Sequence, residues 1–158
     1  MISPVDVANT VLVQANYFSV PVNLLKLQRT MYLLASEFSK ETGGELFAEQ
    51  FETWKYGPAL LSVDTKWSWF KDQPITKLAH HAGEEPKAVI LSKHHGLATV
   101  FARVWAATWD RSGMELSRLL CAQDSAWDKA FQADRRLIDP KDMAMDRTYC
   151  VPLGLCRT

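Results

Sequence analysis

Cysteine is scarce in this chain, and the little there is does not form pairs. The 158 residues contain three cysteines, Cys121, Cys150 and Cys156, and none of them belongs to a CxxC motif. An odd count without close pairs argues against a disulfide framework and against a structural zinc knuckle. Cys121 lies within an apolar helical run, so we interpret it as a buried thiol rather than a nucleophile.

The sequence also lacks an excess of either charge and any long apolar run. Lysine plus arginine equals aspartate plus glutamate, at 18 each. Proteins that bind a phosphate backbone usually carry a basic surplus, so the composition gives nucleic-acid binding no support. No apolar stretch is long enough to cross a bilayer, and the N-terminus lacks the basic start and apolar run of a signal peptide. We therefore expect a cytoplasmic protein with no membrane partner.

Motifs of catalysis and cofactor binding are missing as well. The chain has no GxSxG elbow, no GxxxxGK[ST] loop and no Gly-rich dinucleotide fingerprint. Two histidine pairs, His80-His81 and His94-His95, have no HExxH or His/Cys spacing, and neighbouring histidines in a helix or strand point apart. We predict no enzymatic activity, no metal and no cofactor. A metal-dependent enzyme that uses these histidines is the least favoured alternative.

What the sequence does contain is typical of a globular domain with a substantial core. Its residues are 47% apolar and 23% charged, and its length fits one domain. Helical spacing dominates, so we predict a mainly α, single compact multi-helix domain over residues 1–149, followed by a C-terminal tail at residues 150–158.

Helix starts are marked by capping residues. Ser3 and Asp6 form a capping box around Pro4, which predicts a first helix over residues 4–17. Asn23 caps a second helix that Gly43-Gly44 ends. Further helices are predicted over Ala59–Phe70 and after Ser92, Ser112, Ser125 and Asp139, and the one after Ser92 has the buried stripe Leu97, Val100, Phe101, Val104 and Thr108.

Two short segments are β-prone instead. Gln50–Trp54 lacks helical spacing, and Pro86–Leu91 contains a run of Ala, Val and Ile. The two segments could pair as a small two-stranded ribbon.

The segment Trp54-Lys55-Tyr56-Gly57-Pro58 carries the most local information. Gly57 permits a positive φ and Pro58 fixes φ at a helix start, so we predict an abrupt strand-to-helix turn. Trp54 and Tyr56 either clamp this corner against the core or contact a partner. Trp67 and Trp69 fall on opposite sides of their helix, so both cannot be equally buried, and Trp69 is a candidate partner contact.

Three segments resemble the Panacea domain family. Asn23–Tyr32 is similar to the family's second-helix motif, and Phe51–Pro58 is similar to its Trp-Lys-Tyr-Gly-Pro signature. The residues Leu116–Leu119 and Asp124–Trp127 resemble its C-terminal segment, although Ala126 stands where the family often has proline. The motifs occur in the family's order over residues 2–148.

The resemblance implies a mostly helical domain of phage, prophage and toxin–antitoxin loci. Members typically act as antitoxins that bind unrelated protein toxins without a cofactor, and a SocA-like member is an adaptor that delivers its toxin to a protease. We therefore expect an antitoxin-like protein with a cognate protein toxin as partner and a cellular protease as a second candidate partner. The alternative is a DNA-binding regulator of its own operon or a phage-associated regulatory protein, since helices followed by a ribbon can resemble a winged helix.

Residues of the family motifs supply the candidate site. The candidate partner-binding residues are Trp54, Lys55, Tyr56, Trp69, Lys26, Gln28 and Tyr32. The residues expected to support the motif structurally are Gly57, Pro58, Leu27 and Trp127.

Overall fold

The computed structural model describes residues 1–156, and 54% of these residues are helical. The elements are α1 (Pro4–Tyr17), α2 (Leu24–Thr42), β1 (Glu52–Trp54), β2 (Gly57–Ala59), α3 (Leu61–Trp67), α4 (His95–Thr108), α5 (Gly113–Leu120), α6 (Ala126–Gln132), α7 (Pro140–Met145) and α8 (Cys150–Leu153), with 3-10 turns at Ser68–Phe70 and Leu91–Lys93. The predicted fold class is confirmed, because these elements form one compact, mainly α domain with a two-stranded ribbon. Among the described residues no helix is both long and apolar enough to cross a membrane.

Helix α2 lies at the centre of the domain. It contacts α1, α3, α4, α5, α7 and β2. Asn23 accepts a hydrogen bond from the Lys26 N–H at 2.9 Å, and Gly43 ends the helix in the left-handed conformation, as predicted. Every residue from Lys26 to Glu37 is buried, whereas a surface helix buries only one stripe.

The helices that flank α2 begin close to the predicted positions, with two corrections. Helix α1 covers the expected residues, but the Ser3 hydroxyl caps no backbone N–H and lies 3.3 Å from the His81 ring instead. Helix α4 begins at His95 rather than after Ser92, because Leu91–Lys93 forms a 3-10 turn first. The five residues of its predicted buried stripe are all buried.

The ribbon exists, but the predicted pairing with Pro86–Leu91 is wrong. Strand β1 pairs with β2 in an antiparallel hairpin that Lys55-Tyr56 closes. The Val89 N–H instead donates to the hydroxyl of Thr10 at 2.8 Å, so this β-prone segment bonds to α1. The predicted strand-to-helix turn is also corrected, because Pro58 lies within β2 and α3 begins three residues later.

The C-terminal segment is folded, which corrects the expected tail. Asp139 caps α7 as predicted, but α8 follows it. Cys150, Leu153 and Leu155 belong to the hydrophobic core. The domain therefore continues to Leu155 at least, and residues 157–158 of the expected tail lie outside the described residues.

The burial of the C-terminal helix predicts a measurable contribution to stability. Leu153→Ala should lower the free energy of unfolding by about 2–5 kcal/mol, because it removes a buried side chain and leaves a cavity. Val151→Ala, on the exposed side of the same helix, should change it by less than about 0.5 kcal/mol. Urea unfolding of the two variants measures both values, and equal stability of both would show that this segment is not packed.

Candidate functional site

The hairpin formed by β1 and β2 is fastened to α2 through two buried polar side chains. The first is Gln28, whose amide makes a pair of hydrogen bonds with one residue. Its Nε2 donates to the Leu60 carbonyl at 2.9 Å, and its Oε1 accepts from the Leu60 N–H at 2.9 Å. The Gln28 amide thus replaces the hydrogen bonds that a neighbouring strand would make to Leu60. It satisfies the N–H and the carbonyl of that residue, which lies between β2 and α3.

The second fastening is Arg29, whose guanidinium lies against the start of β2. It donates to the Pro58 carbonyl at 2.8 Å and to the Ser117 hydroxyl of α5 at 2.9 Å. Burial lowers the pKa of Arg29 to about 10, so the group remains charged at neutral pH. A buried guanidinium that bonds to neutral oxygens fixes the relative positions of α2, β2 and α5.

Gly57 is the residue that allows Arg29 to approach. A Cβ atom at this position would lie 2.5 Å from the Arg29 Nε atom, and the φ of Gly57 is 136°, a conformation that favours glycine. The predicted positive φ is therefore confirmed, and the close approach gives a second reason for glycine at this position.

The outer strand of the hairpin is held from the opposite side. The Trp127 indole N–H donates to the Trp54 carbonyl at 2.8 Å, and the Trp127 ring stacks on Phe131 at a centroid distance of 4.6 Å. The Thr53 N–H donates to the Arg136 carbonyl at 2.8 Å, and Glu52 forms an antiparallel bridge with Leu137. The segment around Arg136 thus lies along the free edge of β1. Both strands of the hairpin are thus bonded to the body of the domain.

We call Lys55 and Tyr56 the hairpin tip. Both residues are exposed, and 57% of the Tyr56 surface is accessible to solvent. The Lys55 ammonium lies 5.4 Å from the centroid of the Tyr56 ring, within reach of a cation–π contact. Trp54, directly before the tip, is half-buried. The hairpin tip is consequently an exposed aromatic and a cation on a short turn that the domain holds from both sides.

The candidate residues on α2 do not face solvent. Lys26 donates to the Trp109 carbonyl at 2.7 Å, and burial lowers its pKa although Asp110 and Glu115 oppose this shift. The Tyr32 hydroxyl donates to the carboxylate of Asp146 at 3.3 Å. Lys26, Gln28, Tyr32 and Leu27 are all buried, so the first three are corrected from candidate partner contacts to internal structural residues.

Trp69 is exposed, at 63% of its surface, on the 3-10 turn that follows α3. Its ring packs on Phe70 at a centroid distance of 4.0 Å. Trp67 is buried and its indole donates to the Lys77 carbonyl at 2.9 Å. The prediction that these two tryptophans cannot be equally buried is confirmed.

A second buried polar cluster, centred on Glu37, was not predicted from the sequence. Glu37 accepts hydrogen bonds from Tyr149, from Lys40 at 3.0 Å and from Arg103 at 3.1 Å. Ser36 lies 2.8 Å from the same tyrosine hydroxyl. The sequence signal was a glutamate at a core position of α2. The carboxylate accepts hydrogen bonds from two cationic side chains and one hydroxyl. Because Arg103 belongs to α4 and Tyr149 directly precedes α8, the cluster joins α2 to α4 and to the C-terminal segment.

The two histidine pairs and Cys121 are the residues that the sequence offered for metal binding or nucleophilic chemistry. In residues 1–156 no group of three or more His, Cys, Asp or Glu side chains is placed to hold a metal ion. The Nε2 atom of His81 lies 3.1 Å from the Asp6 carboxylate. The Nδ1 atom of His80 lies 3.0 Å from the backbone carbonyl of His81, so the two rings have different partners. Burial raises the pKa of Cys121 to about 11, so its sulfur is a thiol, which is a weak nucleophile.

The approach of Arg29 to Gly57 predicts that a methyl group is not tolerated there. Gly57→Ala should lower the free energy of unfolding by about 1–3 kcal/mol for backbone strain, and further because the new Cβ collides with the guanidinium. Gly83→Ala is the matched control, since its φ is also positive, at 76°, but no atom lies within 4 Å of the new Cβ. Thermal and urea unfolding should show the larger loss for Gly57→Ala; an equal loss would mean that the contact with Arg29 has no energetic consequence.

The two buried tyrosines predict a loss of stability in alkali. Burial raises the pKa of Tyr32, with Asp146 adding to the shift, and burial raises that of Tyr149, with Glu37 adding to it. Unfolded tyrosine ionises near pH 10, about its unperturbed pKa. The stability that these groups contribute is therefore complete below about pH 10 and declines as the pH rises further.

Absorbance of tyrosinate at 295 nm measures this effect. Two tyrosines should ionise only together with the loss of the circular-dichroism signal of the helices, and each of Tyr32→Phe and Tyr149→Phe should remove part of that late step. Ionisation of all four tyrosines in the folded protein would contradict the burial of these two.

Comparison of the chain with models of protein families, with curated proteins and with solved structures finds no match. The interpretation of the hairpin tip therefore depends on its own geometry. That geometry consists of an exposed aromatic side chain and a cation on a turn fastened by Gln28, Arg29 and Trp127.

Proposed function

We propose that this chain is an antitoxin-like protein that binds and neutralises a cognate protein toxin, and that the hairpin tip is its principal contact. The single observation that carries the proposal is the exposure of Tyr56 on a turn whose two strands are bonded to buried side chains. Tyrosine is among the residues enriched at binding hot spots. A contact that is already ordered before binding loses little conformational entropy when the complex forms.

The nature of the partner comes from the resemblance to the Panacea domain. The quoted motifs of that family fall on Gln28, Arg29 and the hairpin, and these residues contact one another in the structure. In this proposal the motif residues Gln28 and Arg29 hold the hairpin in place, and the hairpin tip is the part that is available to a partner. Antitoxins of this kind act by stoichiometric binding, so no reacting group is needed.

Neutralisation can follow two routes in this proposal. The chain covers the functional surface of the toxin, or it serves as an adaptor that presents the toxin to a cellular protease. Trp69, on a different element, is the second exposed aromatic anchor. Binding to nucleic acid receives less support, because the tip offers one lysine and the chain has no net charge.

The proposal predicts that removal of the tyrosine ring from the tip abolishes neutralisation. Cells that express the toxin encoded next to this gene should survive when the wild-type chain is co-expressed, and Tyr56→Ala should fail to rescue them. Loss of a hot-spot side chain costs about 2 kcal/mol or more, so calorimetry should show affinity for the toxin at least about 30-fold lower. Met145→Ala is the matched control, because it removes another exposed apolar side chain, on α7 and outside the hairpin tip.

Two outcomes would overturn the proposal. One is the absence of toxicity from every adjacent open reading frame expressed alone. The other is full rescue by Tyr56→Ala at wild-type affinity, which would locate the contact elsewhere. Circular dichroism of each variant checks that the fold is intact, and because Tyr56 is 57% exposed its truncation should leave the core unchanged.

A further inference from the structure

A cavity of about 380 Å³ lies beside Trp69, between the end of α3 and the extended segment 77–80. Its charged and titratable lining consists of Lys66, Lys77 and His80, and among the described residues no acidic side chain lines it. Asp72, in the same loop, lines a different cavity. Sites for small molecules typically have volumes of about 300–1,000 Å³. The cavity therefore has the size of a ligand site and a lining that favours an anion.

Lys66 and Trp69 lie on the same wall of this cavity. They are three residues apart where α3 passes into the 3-10 turn Ser68–Phe70, and residues at that spacing are neighbours in both kinds of helix. The Trp69 ring packs on Phe70 with a centroid distance of 4.0 Å, yet 63% of the residue is exposed. Its indole N–H has no hydrogen-bond partner in the described part of the chain. One face of the ring is therefore open to a second flat ring.

The opposite wall is held in place by two side chains of the domain. The Trp67 indole donates to the Lys77 carbonyl at 2.9 Å. Asn9, on α1, donates to the Ala79 carbonyl at 2.7 Å and accepts from the Ala79 N–H at 2.9 Å. This wall is thus ordered without a ligand, so binding would cost little conformational entropy there.

Two ammonium groups of the lining remain available to an anion. The Lys66 ammonium donates to the His80 carbonyl at 2.7 Å, which uses one of its three N–H groups. Lys77 is exposed, and within residues 1–156 its ammonium has no hydrogen-bond or ion-pair partner. The two lysines carry two positive charges, and a phosphate monoester at neutral pH carries about 1.5–2 negative ones. The charges of the cavity and of such a group therefore match.

We propose that this cavity binds a nucleoside monophosphate, with its base on the open face of Trp69 and its phosphate against Lys66 and Lys77. Aromatic side chains stack with every base, and lysine binds phosphate as a point charge. Neither free phosphate nor an uncharged nucleoside uses both features. A nucleotide would occupy the Trp69 anchor, but its binding depends neither on a toxin nor on the hairpin tip.

Titration of the chain alone with adenosine monophosphate (AMP), followed by NMR, tests the proposal. The six tryptophans give six indole N–H signals, and the signal that Trp69→Leu removes belongs to Trp69. AMP should shift this signal with a dissociation constant below about 1 mM. Adenosine and inorganic phosphate should each bind at least about tenfold more weakly than AMP, because each lacks one of the two contacts.

Two substitutions separate recognition of the base from recognition of the phosphate, with the backbone amide signals of residues 77–80 as the readout. Trp69→Ala should weaken AMP binding at least about tenfold, because the stacking contact is lost. Lys77→Ala should weaken AMP binding at least about fivefold and leave adenosine binding unchanged, because adenosine has no phosphate. The matched controls Trp109→Ala and Lys141→Ala remove exposed side chains of the same types outside the cavity, and both should bind AMP as the wild type does.

Absence of a saturable shift of the Trp69 indole signal at about 10 mM AMP, ten times the expected limit, would overturn the proposal. Equal affinity for AMP and adenosine, or wild-type affinity in Lys77→Ala, would also overturn it, since the phosphate would then not be recognised. A single-stranded deoxyadenosine hexamer that binds at least about tenfold more tightly than AMP would assign the cavity to nucleic acid and refute the assignment to a free nucleotide.

Discussion

Burial of the central residues of α2, all the way around the helix, is the constraint on which the other contacts of this domain depend. Twelve successive residues of this helix are removed from water, from Lys26 to Glu37, and half of them are polar. A buried polar group without a hydrogen-bond partner costs about 1–3 kcal/mol, so each of these side chains must find a partner on a neighbouring element. The helix therefore organises its surroundings through polar contacts as well as through apolar packing.

These contacts separate into two ends with different consequences. Toward the start of α2, Gln28 and Arg29 bond to β2 and α5. Toward its end, Ser36 and Glu37 bond to α4 and to the segment that leads into α8. A hairpin with strands of three residues is at best marginally stable alone, so its order comes from the first group together with the bonds that Trp127 and Arg136 make to β1. The proposed function uses that order, because a toxin would meet Tyr56 on a turn that is already fixed.

Local patterns predicted the helices well and the long-range contacts poorly. Asn23 and Gly43 delimited α2 correctly because caps act within a few residues. The pairing of Gln50–Trp54 with Pro86–Leu91 failed because β-propensity does not specify a partner, and the side chains of α1 competed for the second segment. The motif match also misled, since Tyr32 was assigned to a binding surface by its position in the second-helix motif and lies in the core.

For the candidate site, too, the sequence predicted local features but not long-range contacts. The sequence marked the segment from Trp54 to Pro58, and the tip does lie there. It could not show that Arg29, 28 residues before Gly57 in the chain, occupies the space that a side chain at Gly57 would fill.

Hydrogen–deuterium exchange tests the central claim, that buried polar side chains of α2 hold the hairpin in place. Gln28→Leu has nearly the same volume but removes both bonds to Leu60. If these bonds hold the hairpin, the backbone amides of the hairpin and of Leu60 should lose most of their protection in this variant, while the amides of α4 keep theirs. Wild-type protection of the hairpin amides in Gln28→Leu would contradict the claim.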